Sequence, residues 1–250
     1  GLHFVVGHCA DEVKDIMGSD CSYAIQAEQL GTGHAVQQAL PHIDVDAKVL
    51  ILYGDVPLIK TDTLQSMLDA VDDDSIAVLT CNIDDPTGYG RIVRNEHGQV
   101  TAIVEQKDAS PTQCAIDEIN TGIMCVPGKK LAEWLPKLSN ANAQGEYYLT
   151  DIIAMAANES LQINTPQPAS IYEVQGVNDR LQLAALERLY QRWRAEALMK
   201  AGVALADPSR IDIRGDITVG RDVFIDINAV IIGENSLGNN IIIGTWKGSV

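Results

Sequence analysis

Apolar residues in the first 175 positions come in short runs that alternate with stretches of helical spacing. Residues 3–8 (HFVVGH) predict a strand, and 10–18 a helix ending at Gly18. A strand at 23–26 and a helix at 33–40 follow, then a strand at 49–53 and a helix at 61–71. The run VLILY at 49–53 holds no charged or small polar residue, so it predicts a central strand covered on both faces. A further strand is predicted at 76–83. Buried strands with helices between them predict an α/β fold built on a parallel, doubly wound sheet.

Past position 90 the rhythm changes. Runs at 91–95 and 99–106 flank residues 96–98 and predict a hairpin insertion with Gly98 in the turn. Residues 119–126 predict a strand, 128–138 and 145–159 helices, and 170–175 a last strand. From 178 to 200 the chain is helical, with Leu186, Leu189, Trp193 and Ala197 at three- and four-residue spacing and Gly202 placed to cap the end. Then Ile213, Val219, Ile225, Ile231, Leu237 and Ile243 recur every six residues. Two positions before each stand Ile211, Ile217, Val223, Ala229, Asn235 and Ile241. A meander predicts alternation but no fixed period of six, so this segment predicts a β-helix solenoid. The expected organisation is a first domain at 1–177, a connector helix at 178–202 and a solenoid at 203–250.

Composition narrows the function. A chain of 250 residues can bury one sizeable core, or a core and an appendage. No apolar run approaches the roughly 20 residues of a membrane span, and no signal peptide opens the chain. The net charge of −16 argues against nucleic acid as a partner. It also requires a cation or local basic groups beside any phosphate-bearing substrate. The five cysteines, Cys9, Cys21, Cys81, Cys114 and Cys125, form no Cys-x-x-Cys pair and fit the reduced thiols of a cytoplasmic protein.

Several residues could carry chemistry. Asp55, one glycine beyond the strand at 49–53, would stand over the crevice where open α/β sheets collect ligands. It could ligate Mg²⁺, which takes one or two carboxylates and fills its shell with water and phosphate. Gly54 and Asp55 before Val56 and Pro57 equally read as an ordinary turn. Gly31, Thr32 and Gly33 lead into a helix, either to admit a ligand to the backbone or as a turn in which Thr32 caps that helix. Residues 84–92 (DDPTGYGRI) read locally as a turn entering the hairpin. Glu105 and Asn120 stand near strand ends, where solvation alone would account for them. Asn178 occupies an N-cap position, and His34 reads as a helix-surface residue. No Ser/His/Asp or Cys/His set is suggested.

Taken in order, QAEQLGTGHA, YGDVPLI, DDPTGYGRI, VEQKDA, EINTGI, NAQGEYYLTD and GVNDRLQL closely resemble the bacterial bifunctional UDP-N-acetylglucosamine pyrophosphorylase/glucosamine-1-phosphate N-acetyltransferase family. The resemblance spans essentially the whole chain. It implies a Rossmann-like nucleotidyltransferase sheet with a hairpin insertion, a connector helix and the start of a left-handed β-helix. The implied reaction joins UTP and N-acetylglucosamine 1-phosphate into UDP-N-acetylglucosamine and pyrophosphate, for the cell wall. Gln26, Gly31 and Thr32 would hold the uracil, and Tyr53 and Gly54 would line the nucleotide. Gly90, Glu105 and Asn120 would contact the amino sugar, and Asp55 and Asn178 would ligate Mg²⁺. The full-length family is a homotrimer. Two other readings stand beside this one: another sugar-1-phosphate nucleotidylyltransferase, or a noncatalytic sugar-nucleotide-binding subunit.

The family's first Gly-rich phosphate loop and its downstream lysine have no counterpart here, nor do its acetyl-CoA residues. The expectation is a chain truncated at both ends, with no acetyltransferase residues to assign. Since electrostatic stabilisation is usually the largest catalytic contribution, the isolated chain should turn over UTP and N-acetylglucosamine 1-phosphate far more slowly than a complete enzyme. A steady-state pyrophosphate-release assay checks this, and a rate near that of the complete enzyme would refute it.

Overall fold

The computed structural model describes residues 1–244 and divides into two units, Gly1–Gln175 and Gly176–Val250. The first unit begins with β1 (His3–Val6), α1 (Ala10–Met17), β2 (Ser22–Ile25), α2 (Thr32–Ala39), β3 (Lys48–Ile51), α3 (Thr61–Asp69) and β4 (Ser75–Asn82). It continues with β5 (Gly90–Arg94), β6 (Val100–Val104), α4 (Pro111–Cys114), β7 (Glu118–Pro127), α5 (Gly128–Trp134), α6 (Asp151–Asn158) and β8 (Gln162–Asn164).

The sheet is mixed, where the apolar pattern predicts a parallel one. β7 runs antiparallel to β3, β4 and β5, β4 pairs in parallel with β8, and β1 and β2 form a separate two-stranded parallel sheet. Apolar strands covered on both faces do not encode direction, and the hairpin β5–β6 reverses the chain before β7 enters. Two-sided burial belongs to β4 and β7. Ile76, Val78, Met124 and Val126 point into one core with Trp134 and Ile152, while Ala77, Leu79, Ile123 and Cys125 point into the other with Met67 and Val71. β3 is different from the expected central strand. It ends at Ile51, its residues are half-buried or exposed, and β7 is its paired neighbour among the described residues.

One irregularity of β7 shapes the unit. Val78 pairs with Met124 and Thr80 with Asn120, so Thr121, Gly122 and Ile123 all stand opposite the single residue Leu79. This bulge is held by Thr121 Oγ1 donating to the Leu79 carbonyl (2.7 Å) and by the Gly122 N–H donating to Asn120 Oδ1 (3.0 Å). Gly122 takes φ +87°, a left-handed value suited to glycine. One edge of β7 pairs with β4 on both sides of the bulge. The other edge carries β5 up to Asn120 and β3 from Met124 onward, with the bulge between them.

Two predicted elements are replaced. Residues 145–150 do not extend α6, because their backbone is committed elsewhere: the Tyr147 N–H donates to Leu30 and its carbonyl accepts from Gly33, both at 2.8 Å. The expected strand at 170–175 is a 3₁₀ turn (Ile171–Val174) that buries Glu173, whose carboxylate accepts from Thr63 Oγ1 and lies 3.4 Å from Lys60 Nζ.

The second unit holds α7 (Arg180–Lys200), β9 (Ala204–Leu205), β10 (Ile211–Arg214), β11 (Ile217–Val219), β12 (Phe224–Ile225), β13 (Ala229–Ile232), β14 (Asn235–Leu237) and β15 (Ile242–Ile243). Its strands stack in parallel: Ile213 on Ile231, Val219 on Leu237 and Ile225 on Ile243, each pair three hexapeptides apart. Three hexapeptides therefore make one coil, and the repeat residues fill its interior together with Ala195, Leu198 and Val203. Gly202, at φ +98°, ends α7 as predicted. The helix cap is Asp179, whose side chain accepts from the Gln182 N–H, and not Asn178. Asn178 instead donates its own N–H to Gln182 Oε1 (2.7 Å).

Buried Gln191 accepts from the Ile213 N–H (2.7 Å) and donates to the Ile213 carbonyl (3.1 Å), so one side-chain amide satisfies both backbone groups of a coil residue. Arg194 donates to the Gly215 carbonyl next along. Among the described residues no helix is long and apolar enough to cross a membrane. Gln191→Leu should strip both Ile213 groups of partners and destabilise the second unit by about 2–4 kcal/mol. Urea unfolding followed by hydrogen exchange at the amides of residues 211–237 measures this, and an unchanged midpoint would contradict the role given to Gln191.

Candidate active site

The ends of four elements converge on the break in β7's edge. β3 arrives at Ile51 opposite Met124 and leaves as Leu52, Tyr53, Gly54 and Asp55. β5 starts there, with Gly90 opposite Asn120. β6 ends beside it, Val104 pairing with Arg91 and Glu105 following. Thr150, which precedes α6, donates its hydroxyl to Glu105 Oε1 (3.1 Å). A Cβ at Gly122 would overlap the Tyr53 ring, so the bare face of that glycine seats the aromatic side chain.

Of the sequence-predicted residues, Tyr53, Gly90, Glu105 and Asn120 meet around this break. A Cβ at Gly90 would lie 3.3 Å from both carboxylate oxygens of Glu105. Asn120, expected at a solvated strand end, is buried, and its side chain holds the bulge. Thr32 lies close enough for its hydroxyl to act on the Tyr53 hydroxyl. It does not cap α2. Gly31 is the cap residue, and Thr32 Oγ1 accepts from the Leu149 N–H (3.1 Å). Gly31 itself, at φ +108°, has the Tyr147 carbonyl 2.7 Å from where a Cβ would sit, so its side-chain position is filled by protein. Gln26 donates to the Gly31 carbonyl (3.0 Å) and shares a hydrogen bond with His34 Nδ1 (3.1 Å), which orients its amide beside that glycine. Gly54 and Asp55 are exposed in a turn closed by the Val56 N–H donating to the Tyr53 carbonyl (3.2 Å), so the turn reading of this pair holds. Asn178 is exposed and belongs to the second unit.

Sequence reasoning missed Gly122, Thr150 and Asp108. Gly122 is an isolated glycine inside a strand pattern, a recognised sign of a bulge. Thr150 and Asp108 gave no local signal. Asp108 accepts from the Ala143 N–H (2.9 Å) and the Tyr148 hydroxyl (3.3 Å), tying the segment after β6 to the one before α6.

The cluster is electrostatically costly. Burial pushes the Tyr53 hydroxyl up to about 12, with Glu105 and Asp55 adding to the rise and the Thr32 hydroxyl opposing it. Burial also raises the Glu105 carboxyl above its ordinary value; the Thr150 hydrogen bond opposes this, and Asp108 and Asp151 add to it. Asp151 is raised by burial and then by Asp108. These carboxylates form no metal cage: among the described residues no three His, Cys, Asp or Glu side chains converge to hold an ion. Asp55 is nonetheless a hard oxygen donor open to solvent, and Mg²⁺ needs only one or two such groups when phosphates and water complete its shell.

A raised carboxyl means the folded chain binds more protons than the unfolded one between the ordinary and the raised value. Stability therefore falls as pH climbs through that window and stays lowered above it. Glu105→Gln should flatten this slope and raise the urea midpoint of the free protein near neutral pH. Equal midpoints in the two proteins from pH 4 to 8 would show that Glu105 bears no such cost.

A sequence profile of the nucleotidyl transferase family matches residues 8–189. The chain is 58% identical over 244 residues to the bifunctional protein GlmU of Marinobacter nauticus, covering 97% of this chain and 54% of that protein. It is 61% identical over 228 residues to the bifunctional protein GlmU of Pseudomonas aeruginosa, covering 91% and 50%. The chain thus spans about half the length of these relatives. Among solved structures it is similar to a UDP-glucose pyrophosphorylase complexed with UDP-glucose, with TM-score 0.56, 14% identity, and 69% of this chain and 76% of that one covered. It is also similar to a putative glucose-1-phosphate thymidylyltransferase from Bacillus anthracis, with TM-score 0.57, 18% identity and coverage of 75% and 74%. At these identities the structural likeness shows the fold.

Proposed function

The chain belongs to the nucleotidyl transferase family, and from that we propose that it carries the uridylyl-transfer site of a UDP-N-acetylglucosamine pyrophosphorylase. The substrates would be UTP and N-acetylglucosamine 1-phosphate, and the products UDP-N-acetylglucosamine and pyrophosphate. The observation that supports this reading is the convergence of Tyr53, Gly90, Glu105 and Asn120 on the break in β7, with Thr32 beside them.

Each residue then has a task. Gln26, Gly31 and Thr32 face the uracil, with the Gln26 amide oriented by its bonds to Gly31 and His34. Tyr53 and Gly54 line the nucleotide. Gly90, Glu105 and Asn120 face the amino sugar, where the Glu105 carboxylate can accept from sugar hydroxyls and Gly90, lacking a Cβ, lets that carboxylate approach the β5 backbone. A phosphate oxygen of the sugar attacks the α-phosphorus of UTP as pyrophosphate leaves. That oxygen is already a nucleophile, so no general base is needed and the side chains act by positioning. Mg²⁺, with Asp55 as a protein ligand from the first unit, would neutralise phosphate charge. The stacked coils of the second unit would open the left-handed β-helix through which a homotrimer assembles.

Calorimetric titration with UDP-N-acetylglucosamine, with and without Mg²⁺, tests the reading, with UDP-glucose as comparator. Binding should strengthen with Mg²⁺, favour the N-acetylated sugar, and lose at least about tenfold, or ~1.4 kcal/mol, in Asp55→Ala. A folded chain that binds neither nucleotide sugar would overturn the assignment. Preference for UDP-glucose would instead favour another sugar-1-phosphate nucleotidylyltransferase.

A further inference from the structure

Arg91 is 1% exposed, and among the described residues no carboxylate stands in ion-pair contact with it, though its charge acts on Asp85. Its guanidinium donates to the Tyr89 carbonyl, to Gln106 Oε1 (2.7 Å) and to the Cys114 carbonyl (3.5 Å), while its Nε has no partner. Burying a cation this way is expensive, and a long apolar side chain would fill the same space at less cost. What arginine offers instead is a rigid planar fork that can hold several acceptors at fixed angles.

Those acceptors flank the sugar-facing residues of the site. Arg91 follows Gly90 in β5, and its own backbone is paired to Val104 on one side and Ile119 on the other. Gln106 follows Glu105, and its Oε1 accepts from the Gly88 N–H (3.3 Å) as well as from Arg91. The guanidinium and the Gln106 amide thus form one clamp across the ends of β5 and β6. On one side it grips the turn at 88–90. On the other it grips the segment that delivers Glu105. Between them the Glu105 carboxylate packs over the bare face of Gly90, where a Cβ would stand 3.3 Å from both of its oxygens.

We propose that Arg91 is a positioning residue for amino-sugar recognition: through Gln106 and the Tyr89 carbonyl it fixes the distance between the Gly90 backbone and the Glu105 carboxylate. This rests on the reading above that Gly90, Glu105 and Asn120 face the sugar. Arg91 touches no substrate in this scheme. Its removal should blunt the sugar-dependent part of binding and leave the uridine-dependent part alone.

The test measures the affinities of the chain for UDP and for UDP-N-acetylglucosamine in wild type, Arg91→Met, Gln106→Leu, the double variant and Gln106→Glu. In Arg91→Met and in Gln106→Leu, UDP-N-acetylglucosamine should bind about tenfold more weakly, while UDP stays within about twofold. The double variant should be no worse than the poorer single, as for two members of one unit. Gln106→Glu keeps an acceptor for the guanidinium and should retain the wild-type preference. Equal losses for both ligands would mean a general structural role and overturn the proposal. So would a wild-type preference that survives in Arg91→Met, and in that case the sugar reading itself stands. A wild-type chain with no preference between the two ligands would sink the sugar reading and the role of Arg91 together. Should Arg91→Met fail to fold, Gln106→Leu decides the question by the same two affinities.

Discussion

The bulge in β7 is the constraint from which the rest of the first unit follows. Three residues facing one leave a strand that pairs with β4 on either side of the bulge, while its other edge changes partner there. Two strands share that edge, one ending and one beginning at the interruption, so the ends of β3 and β5 must meet there. A regular β7 would pair without a break, and the backbone of 52–55 would have no place to turn away. Gly122 makes the irregularity possible, because its left-handed φ and missing side chain admit both the bend and the Tyr53 ring. Asn120 holds it closed with a bond two residues along its own strand.

What gathers at the break is unfavourable in the free protein. Glu105 is a partly buried carboxylate among other carboxylates, Tyr53 is a phenol pushed away from ionisation, and Arg91 is a buried cation with no carboxylate in ion-pair contact. None of these choices is what stability alone would select, and the two buried faces of β4 and β7, filled by aliphatic side chains and Trp134, carry the cost. Departures from local rules that are compensated elsewhere are characteristic of sites that must meet a ligand. The site and the core thus divide the work between them within a single strand.

Much of the architecture is legible from spacing. The hexapeptide period translates directly into coil stacking, since Ile213, Ile231 and their counterparts follow one another at a fixed interval that only a solenoid requires. Strand direction is not legible in this way, because burial on two faces looks the same in parallel and antiparallel neighbours. Local segments misled where a distant partner claimed their backbone. Residues 145–150 have helical composition, but Tyr147 commits its N–H and carbonyl, and Leu149 its N–H, to the loop at 30–33. Thr32 has the chemistry of a cap but serves Leu149 instead. The candidate site residues are marked mainly by short motifs similar to those of a known family, and Gly122 shows what a purely local reading overlooks: its meaning lies in the ring of Tyr53, about seventy positions earlier in the chain.

Gln191 imitates a strand with a single side chain. Its amide meets the N–H and carbonyl of Ile213 as a neighbouring peptide would, and Arg194 and β9 cover the adjoining sides of the same first coil. The rim of the stack is therefore covered along β10 by Gln191 and along β12 by β9, which gives the stack a polarity, one end occupied by α7 and β9. A parallel array without such a stop would be its own template in both directions, free to join another copy end to end. With α7 as its foundation, growth of the array is a one-way process whose starting point is written into the helix.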